Sequence, residues 1–169
     1  MSTPAPVRDS TPTRPWRRRG GLLIGALLLA GADLFIKAQA EANLSRGEVI
    51  ETPLLTIKLL YNTGVAFSLG AALPTAVVVA GTGVVIAVLL SWLAVSAPKM
   101  SLISFTGGIF VAGGAVGNFI DRLDGAGVVD YLHSGWFPTF NLADVFVTVG
   151  AAVLVLGMLR PGKDPEKGA

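Results

Sequence analysis

Asp130 and Asp144 bracket the segment Asp-Tyr-Leu-His-Ser-Gly-Trp-Phe-Pro-Thr-Phe-Asn-Leu-Ala-Asp, and an apolar run long enough to enter a bilayer begins at the second of them. A carboxylate at the mouth of such a run costs about 2.5–3.5 kcal/mol if it faces lipid. Two carboxylates that share a site cannot both ionise cheaply, so the pair holds one proton between them. The ionised member can then deprotonate a water while the protonated member polarises a carbonyl. Such chemistry needs no metal and no cofactor. The competing reading is architectural: Asp144 sits near a helix start, where exposed N–H groups favour a carboxylate, and either aspartate can pair with Arg122.

Other polar residues stand close to apolar runs. Asp33 and Lys37 are spaced i, i+4, which places them on one helix face as an ion pair or as supports for a site. The same lysine could serve as base to a serine nucleophile such as Ser68, but Asp33 would hold it protonated. Asp121 and Arg122 are expected to form a local charge network, and Asp124 to serve the turn Leu123-Asp-Gly-Ala-Gly127. Gly113 and Gly117 make a G-x-x-x-G spacing that lets helices approach closely. His133 is read as incidental, and Trp136, Phe137 and Phe140 as an interfacial belt.

The elements that must carry these residues are apolar. Of 169 residues, 52% are hydrophobic and 14% charged, and the mean hydropathy is +0.66. That composition fits a small multi-pass membrane protein. With no cysteine there is no disulfide, thiolate nucleophile or cysteine zinc site, and a single histidine excludes a multi-histidine metal centre. The net charge of +2 does not point to nucleic acid, because the basic residues gather at the ends of apolar runs.

Four spans are predicted, at Gly20–Ala38, Ala71–Val95, Ser101–Ile120 and Leu142–Arg160. Residues 1–19 read as a disordered basic tail and 161–169 as a second tail. Arg17, Arg18 and Arg19 precede a run too long for a secretory signal, so the first span is expected to be permanent. Placing both termini in the cytoplasm puts nine Lys and Arg inside, against Lys37, Arg46, Lys58 and Arg122 outside. Asp33, Lys37, Asn62, Asn118, Asp121, Arg122, Asn141 and Asp144 then all converge on the outer face. Between the first two spans, residues 40–70 form a β-rich outer loop: Leu55, Ile57, Leu59 and Tyr61 alternate imperfectly as in a short strand, and Asn62-Thr-Gly64 offers a turn. The predicted fold is an all-α integral membrane protein of four transmembrane helices with a small extracytoplasmic β-sheet.

Four blocks occur in order along the chain: Asp33-Leu-Phe-Ile-Lys37; Asn62-Thr-Gly-Val-Ala-Phe-Ser68; Gly113-Gly-Ala-Val-Gly-Asn-Phe-Ile-Asp-Arg122 running on to Gly127-Val-Val-Asp130-Tyr; and Phe140-Asn-Leu-Ala-Asp144. Together they resemble the lipoprotein signal peptidase (signal peptidase II) family of bacterial membrane aspartyl peptidases, from about residue 20 to 160. The resemblance implies that Asp130 and Asp144 form a catalytic dyad. It implies supporting or substrate-contacting roles for Asp33, Lys37, Asn62, Asn118, Arg122 and Asn141, and a structural role for Asp121. It further implies a bacterial inner-membrane enzyme, active near the outer face on a prolipoprotein whose cysteine carries a diacylglyceryl group, with no cofactor, nucleic acid or obligate protein partner. Leu34 stands where a Gln is frequent in the family, Val65 where Ala is common, and the stretch between the two aspartates is short. A different class of function, a proton-coupled transporter using the aspartates as a relay, would need acids through the depth of the membrane, and none falls in the cytoplasmic halves of the spans.

Overall fold

A computed structural model describes residues 15–63 and 73–160. Four helices run through it: α1 (Pro15–Leu44), α2 (Thr75–Ser96), α3 (Leu102–Arg122) and α4 (Leu142–Leu159). Three short strands, β1 (Ile50–Glu51), β2 (Thr56–Asn62) and β3 (Val128–His133), form one antiparallel sheet in the order β1-β2-β3. All four helices are long and apolar enough to cross a membrane. The tails expected at 1–19 and 161–169 lie outside the described residues except for positions 15–19, and these are helical. Also outside are Gly64 of the expected turn, Ser68 and the first residues of the second expected span.

Helix α1 is longer at both ends than the expected Gly20–Ala38. Proline is tolerated at a helix start because its missing N–H has no intrahelical partner there. At the other end Ala38-Gln-Ala-Glu-Ala-Asn-Leu44 is rich in strong helix formers, so the helix persists to Leu44 and the chain turns away at Gly47, which adopts φ +88°. Thirty residues span ~45 Å, against a hydrocarbon core of ~30 Å, so a surplus of about ten residues projects beyond it. Its buried residues, Leu22, Ala26, Ala30, Asp33, Lys37, Ala40 and Leu44, step by three or four along a single face. That face holds the core at one end of the bundle and the charged pair in its middle. Its projecting end packs against the sheet through Ala40, Leu44, Val129 and Tyr131.

Helix α3 is the centre of the bundle, and its glycines decide how close its neighbours come. Gly113 and Gly117 face α1, where added Cβ atoms would fall 2.7 Å from Leu29 Cβ and 2.8 Å from Asp33 Oδ2. Gly107 and Gly114 face α4 instead. A methyl on Gly107 would collide with the backbone of Leu154, which cannot rotate out of the way. Gly107→Ala is therefore expected to cost about 1–3 kcal/mol through overpacking. Gly31→Ala, where nothing lies within 4 Å, should leave the thermal unfolding midpoint level or raise it slightly. Unfolding scans of the two variants in the same detergent check the contrast, and equal midpoints would show that the α3–α4 seam is not tight.

The aromatic segment that follows Asp130 begins as a strand. Val128–His133 pairs with β2, with Tyr61 opposite Val129, Leu60 opposite Asp130 and Ile57 opposite Leu132. Lys58 and Leu59 of β2 thus stand against Tyr131 alone, a bulge that explains the imperfect alternation there. Because successive strand residues face opposite ways, Val129 and Tyr131 enter the core against α1 while Asp130 faces a cleft.

Candidate active site

Five elements bring the candidate residues together at one end of the bundle. Asp33 and Lys37 come from α1, Asn62 from the end of β2, Asn118, Asp121 and Arg122 from the last turns of α3, Asp130 from β3, and Asn141 and Asp144 from the start of α4. Among the described residues of the four helices, every Asp and Glu lies at this end. A proton path through the membrane has no acids to follow in the other half.

The start of α4 sets Asp144. Asn141 caps the helix, its Oδ1 accepting the Asp144 N–H at 2.9 Å, while Asp144 Oδ2 accepts the Asn141 N–H at 3.2 Å. This reciprocal capping box leaves the carboxylate nearly immobile. The architectural reading of Asp144 is thus realised, and it serves to hold the group in place. Its other oxygen, Oδ1, accepts from Asn118 Nδ2 at 2.8 Å. Asp130 is held as firmly from two sides. Asn141 Nδ2 donates to its Oδ1 at 2.7 Å and Asn62 Nδ2 to its Oδ2 at 3.1 Å. All four carboxylate oxygens of the two aspartates therefore accept a bond from a positioned donor.

Asn118 and Asn141 also bond to each other, Asn141 Nδ2 donating to Asn118 Oδ1 at 3.1 Å. The orientation of Asn118 follows from chemistry. Lys37 Nζ stands 2.8 Å from Asn118 Oδ1, and an ammonium has only donors, so the amide must present its oxygen there and its NH2 to Asp144. A continuous path thus links Asp144, Asn118, Asn141 and Asp130.

Beneath the path lies a buried ion triad. Lys37 Nζ is 2.8 Å from Asp33 Oδ2 and 2.8 Å from Asp121 Oδ2, and the three side chains are 2%, 0% and 10% exposed. The i, i+4 pairing of Asp33 with Lys37 is as expected. Asp121 also reaches across to α1, while Arg122 Nη1 donates to the Asn118 carbonyl one turn back at 2.8 Å and lies in the field of Asp144, Asp130 and Asp121. Asp124 accepts the Ala126 N–H at 2.9 Å, a turn contact as expected. The His133 ring lies 3.4 Å from Thr139 Oγ1. Trp136, Phe137 and Phe140 make a chain of edge-to-face rings beside the cleft.

Burial and the nearby Asp144 carboxylate push Asp130 up to about 6, against the opposing bonds from Asn62 and Asn141 and the field of Lys37. The Tyr131 hydroxyl is pushed up to about 12, mainly by burial, and accepts the Leu142 N–H at 3.3 Å, which ties β3 to the start of α4. Both aspartates open on a cleft of about 1500 Å³, walled by apolar residues of α2 and α4 such as Val78, Val85, Val145 and Val149 and by Leu60 and Phe140. Among the described residues no cluster of His, Asp and Glu has metal-binding geometry.

Sequence reasoning passed over the contributions of Gly117, Tyr131 and the backbone amides of Val129 and Ala143. Gly117 was legible only as a helix-packing glycine, yet the space above it is filled by the Asp33 carboxylate. Backbone donors leave no mark in a sequence.

The family model for signal peptidase (SPase) II matches residues 25–160. The chain is 39% identical over 152 residues to a lipoprotein signal peptidase of Mesorhizobium japonicum, covering 86% of this chain and 88% of the relative. It is 33% identical over 187 aligned positions to one of Mycolicibacterium smegmatis, covering 99% and 77%. Its fold is that of a bacterial membrane enzyme solved by the in meso method at 2.3 Å, with a TM-score of 0.72 at 24% identity over 89% of this chain and 95% of the other. With four helices long and apolar enough to cross a membrane and two aspartates opening on a cleft at one end, the chain belongs to the signal peptidase II family of aspartic peptidases and is a multi-pass membrane protein.

Proposed function

We propose that this enzyme removes the signal peptide from diacylglyceryl-modified prolipoproteins, cutting on the amino side of the lipidated cysteine with a water activated between Asp130 and Asp144. The observation that carries the reading is the asparagine bridge: Asn118 and Asn141 join two carboxylates delivered by different elements. A pair that only capped a helix would need no such link.

The proton of the dyad resides on Asp130, whose burial favours the neutral form. Asp144 lies at a helix N-terminus and accepts two N–H bonds, which holds its carboxylate in place to act as the base. As the water oxygen attacks the scissile carbonyl carbon, Asp144 takes a water proton and Asp130 gives its proton to the carbonyl oxygen. Collapse of the tetrahedral intermediate breaks the C–N bond, passes the Asp144 proton to the leaving nitrogen and returns a hydroxyl proton to Asp130. Asn62 and Arg122, both at the cleft, hold the peptide backbone.

The excess of Lys and Arg at the opposite end supports an orientation with both termini in the cytoplasm of a bacterium and with sheet and dyad at the outer face of the inner membrane. Signal helix and acyl chains then remain in lipid while the peptide enters the apolar cleft from the side. The test gives purified enzyme a prolipoprotein with and without its diacylglyceryl group. Cleavage of the lipidated form alone is expected, and equal cleavage of both would rule out the substrate assignment.

A further inference from the structure

We infer that the buried Asp33–Lys37–Asp121 triad fixes the separation of Asp130 and Asp144 by clasping the backbone amide immediately before each of them. Asp33 Oδ1 accepts the Ala143 N–H at 2.8 Å, and Asp121 Oδ2 accepts the Val129 N–H at 3.1 Å. Ala143 precedes Asp144 and Val129 precedes Asp130. The other bonds of the two carboxylates go to one ammonium, Lys37 Nζ. The triad thus forms a closed bracket from α4 through α1 and α3 to β3.

Neither amide has another natural partner. Ala143 occupies the second position of α4, where an N–H lacks an intrahelical acceptor, and the cap side chain of Asn141 is already spent on Asp144. Val129 lies on β3, an edge strand of the sheet, and its N–H bonds to Asp121. Asp130 and Asp144 ride on different supports, a sheet and a helix bundle, so their separation depends on what ties those supports together. The amide bridge of Asn118 and Asn141 aligns the carboxylate oxygens but ends on rotatable side chains. The clasps act on backbone, which is stiffer. Gly117 leaves the room that Asp33 needs, since a Cβ there would stand 2.8 Å from Asp33 Oδ2. Asp33, Lys37 and Asp121 are positioning residues in this scheme.

The inference rests on the two-aspartate reading above, and one set of variants separates the two. Full-length wild type, Asp121→Ala, Asp121→Asn and Asp130→Asn are assayed on a lipidated prolipoprotein across pH. Rates are expressed per mole of enzyme able to bind a lipidated analogue with a non-cleavable bond. Asp121→Ala is expected to lose about 100-fold in kcat with KM within about twofold, because a shift of order 1 Å misaligns the reacting groups. The alkaline limb of its kcat profile should move, since the interaction between the carboxylates depends on their separation. Asp121→Asn keeps an oxygen for the Val129 N–H and should recover about tenfold of the loss. A triad that merely stabilised the fold would reduce the amount of competent enzyme and leave kcat per competent molecule and the pH profile unchanged. That result overturns the inference, and if Asp121→Ala does not fold, a wild-type kcat and profile for Asp121→Asn overturns it equally. If Asp130→Asn itself cleaves, the two-aspartate reading has failed. If Asp130→Asn is inactive while Asp121→Ala matches wild type, only the bracket has failed.

Discussion

Asp144→Asn and Asp130→Asn are each expected to lower kcat on lipidated prolipoprotein by about 10³-fold or more while the protein stays folded. The two lose different things. Asn at 144 cannot take a proton from water, and Asn at 130 cannot give one to the carbonyl oxygen. Their pH dependence tells them apart from a generic lesion. In the free wild-type enzyme kcat/KM should fall as pH rises through the upper dyad value, near 6, because the acid on Asp130 is then lost. The residual activity of Asp130→Asn should lack that limb.

Stability gives an independent reading of the same group. The folded state holds the Asp130 proton up to about pH 6, whereas the unfolded chain releases it near 3.8. Folded protein therefore binds more protons between those values, and stability contributed by this group falls as pH rises through that window. Above it the penalty is constant. Asp130→Asn removes the titration, so its unfolding midpoint relative to wild type should rise between pH 3.8 and 6 and then level off. A pH-independent difference would place the proton elsewhere. Either variant cleaving at near the wild-type rate would remove the dyad assignment altogether.

How much of this was legible beforehand depended on whether a residue's role lies along the chain or across it. Asp33 with Lys37, the Asp124 turn and the four apolar runs are local patterns, and each has its expected place. Helix α1 overran its expected end because hydropathy marks where lipid begins, whereas Ala38–Leu44 continues the helix on propensity and is rewarded by packing on the sheet. Strand β3 was hidden for a related reason. In Val128-Val-Asp-Tyr-Leu-His133 the aspartate sits where the alternation needs a cleft-facing residue, and without its partner strand the segment reads as loop. The reach of Asp121 to Lys37 was not legible, because that partner is on another helix. The glycines of α3 announced close packing but not which helix each one faced. That assignment needs the bundle itself, where Gly113 and Gly117 turn to α1 and Gly107 and Gly114 to α4.

The second large effect is expected at Lys37. Its ammonium has three N–H donors, and all three find acceptors at 2.8 Å: Asp33 Oδ2, Asp121 Oδ2 and Asn118 Oδ1. Lys37→Met fills a similar volume without the charge and leaves two carboxylates buried with no counter-ion. Breaking a buried pair in this way costs about 3–5 kcal/mol, which for a chain of this size lowers Tm by on the order of 10 °C. Most of that loss belongs to the stranded charges and not to the missing lysine. Adding Asp33→Asn and Asp121→Asn to Lys37→Met should therefore recover more than half of the Tm, because both amides can still accept the Ala143 and Val129 N–H groups. Activity should not recover with it. Without the ammonium, Asn118 Oδ1 keeps only the longer bond from Asn141 Nδ2, and the hold of its NH2 on Asp144 loosens. Stability restored with cleavage still depressed is the pattern that separates Lys37 as an organiser of the site from Lys37 as a neutraliser of buried charge. A Lys37→Met enzyme with wild-type Tm would mean that water reaches the triad and that the charges were never buried at all.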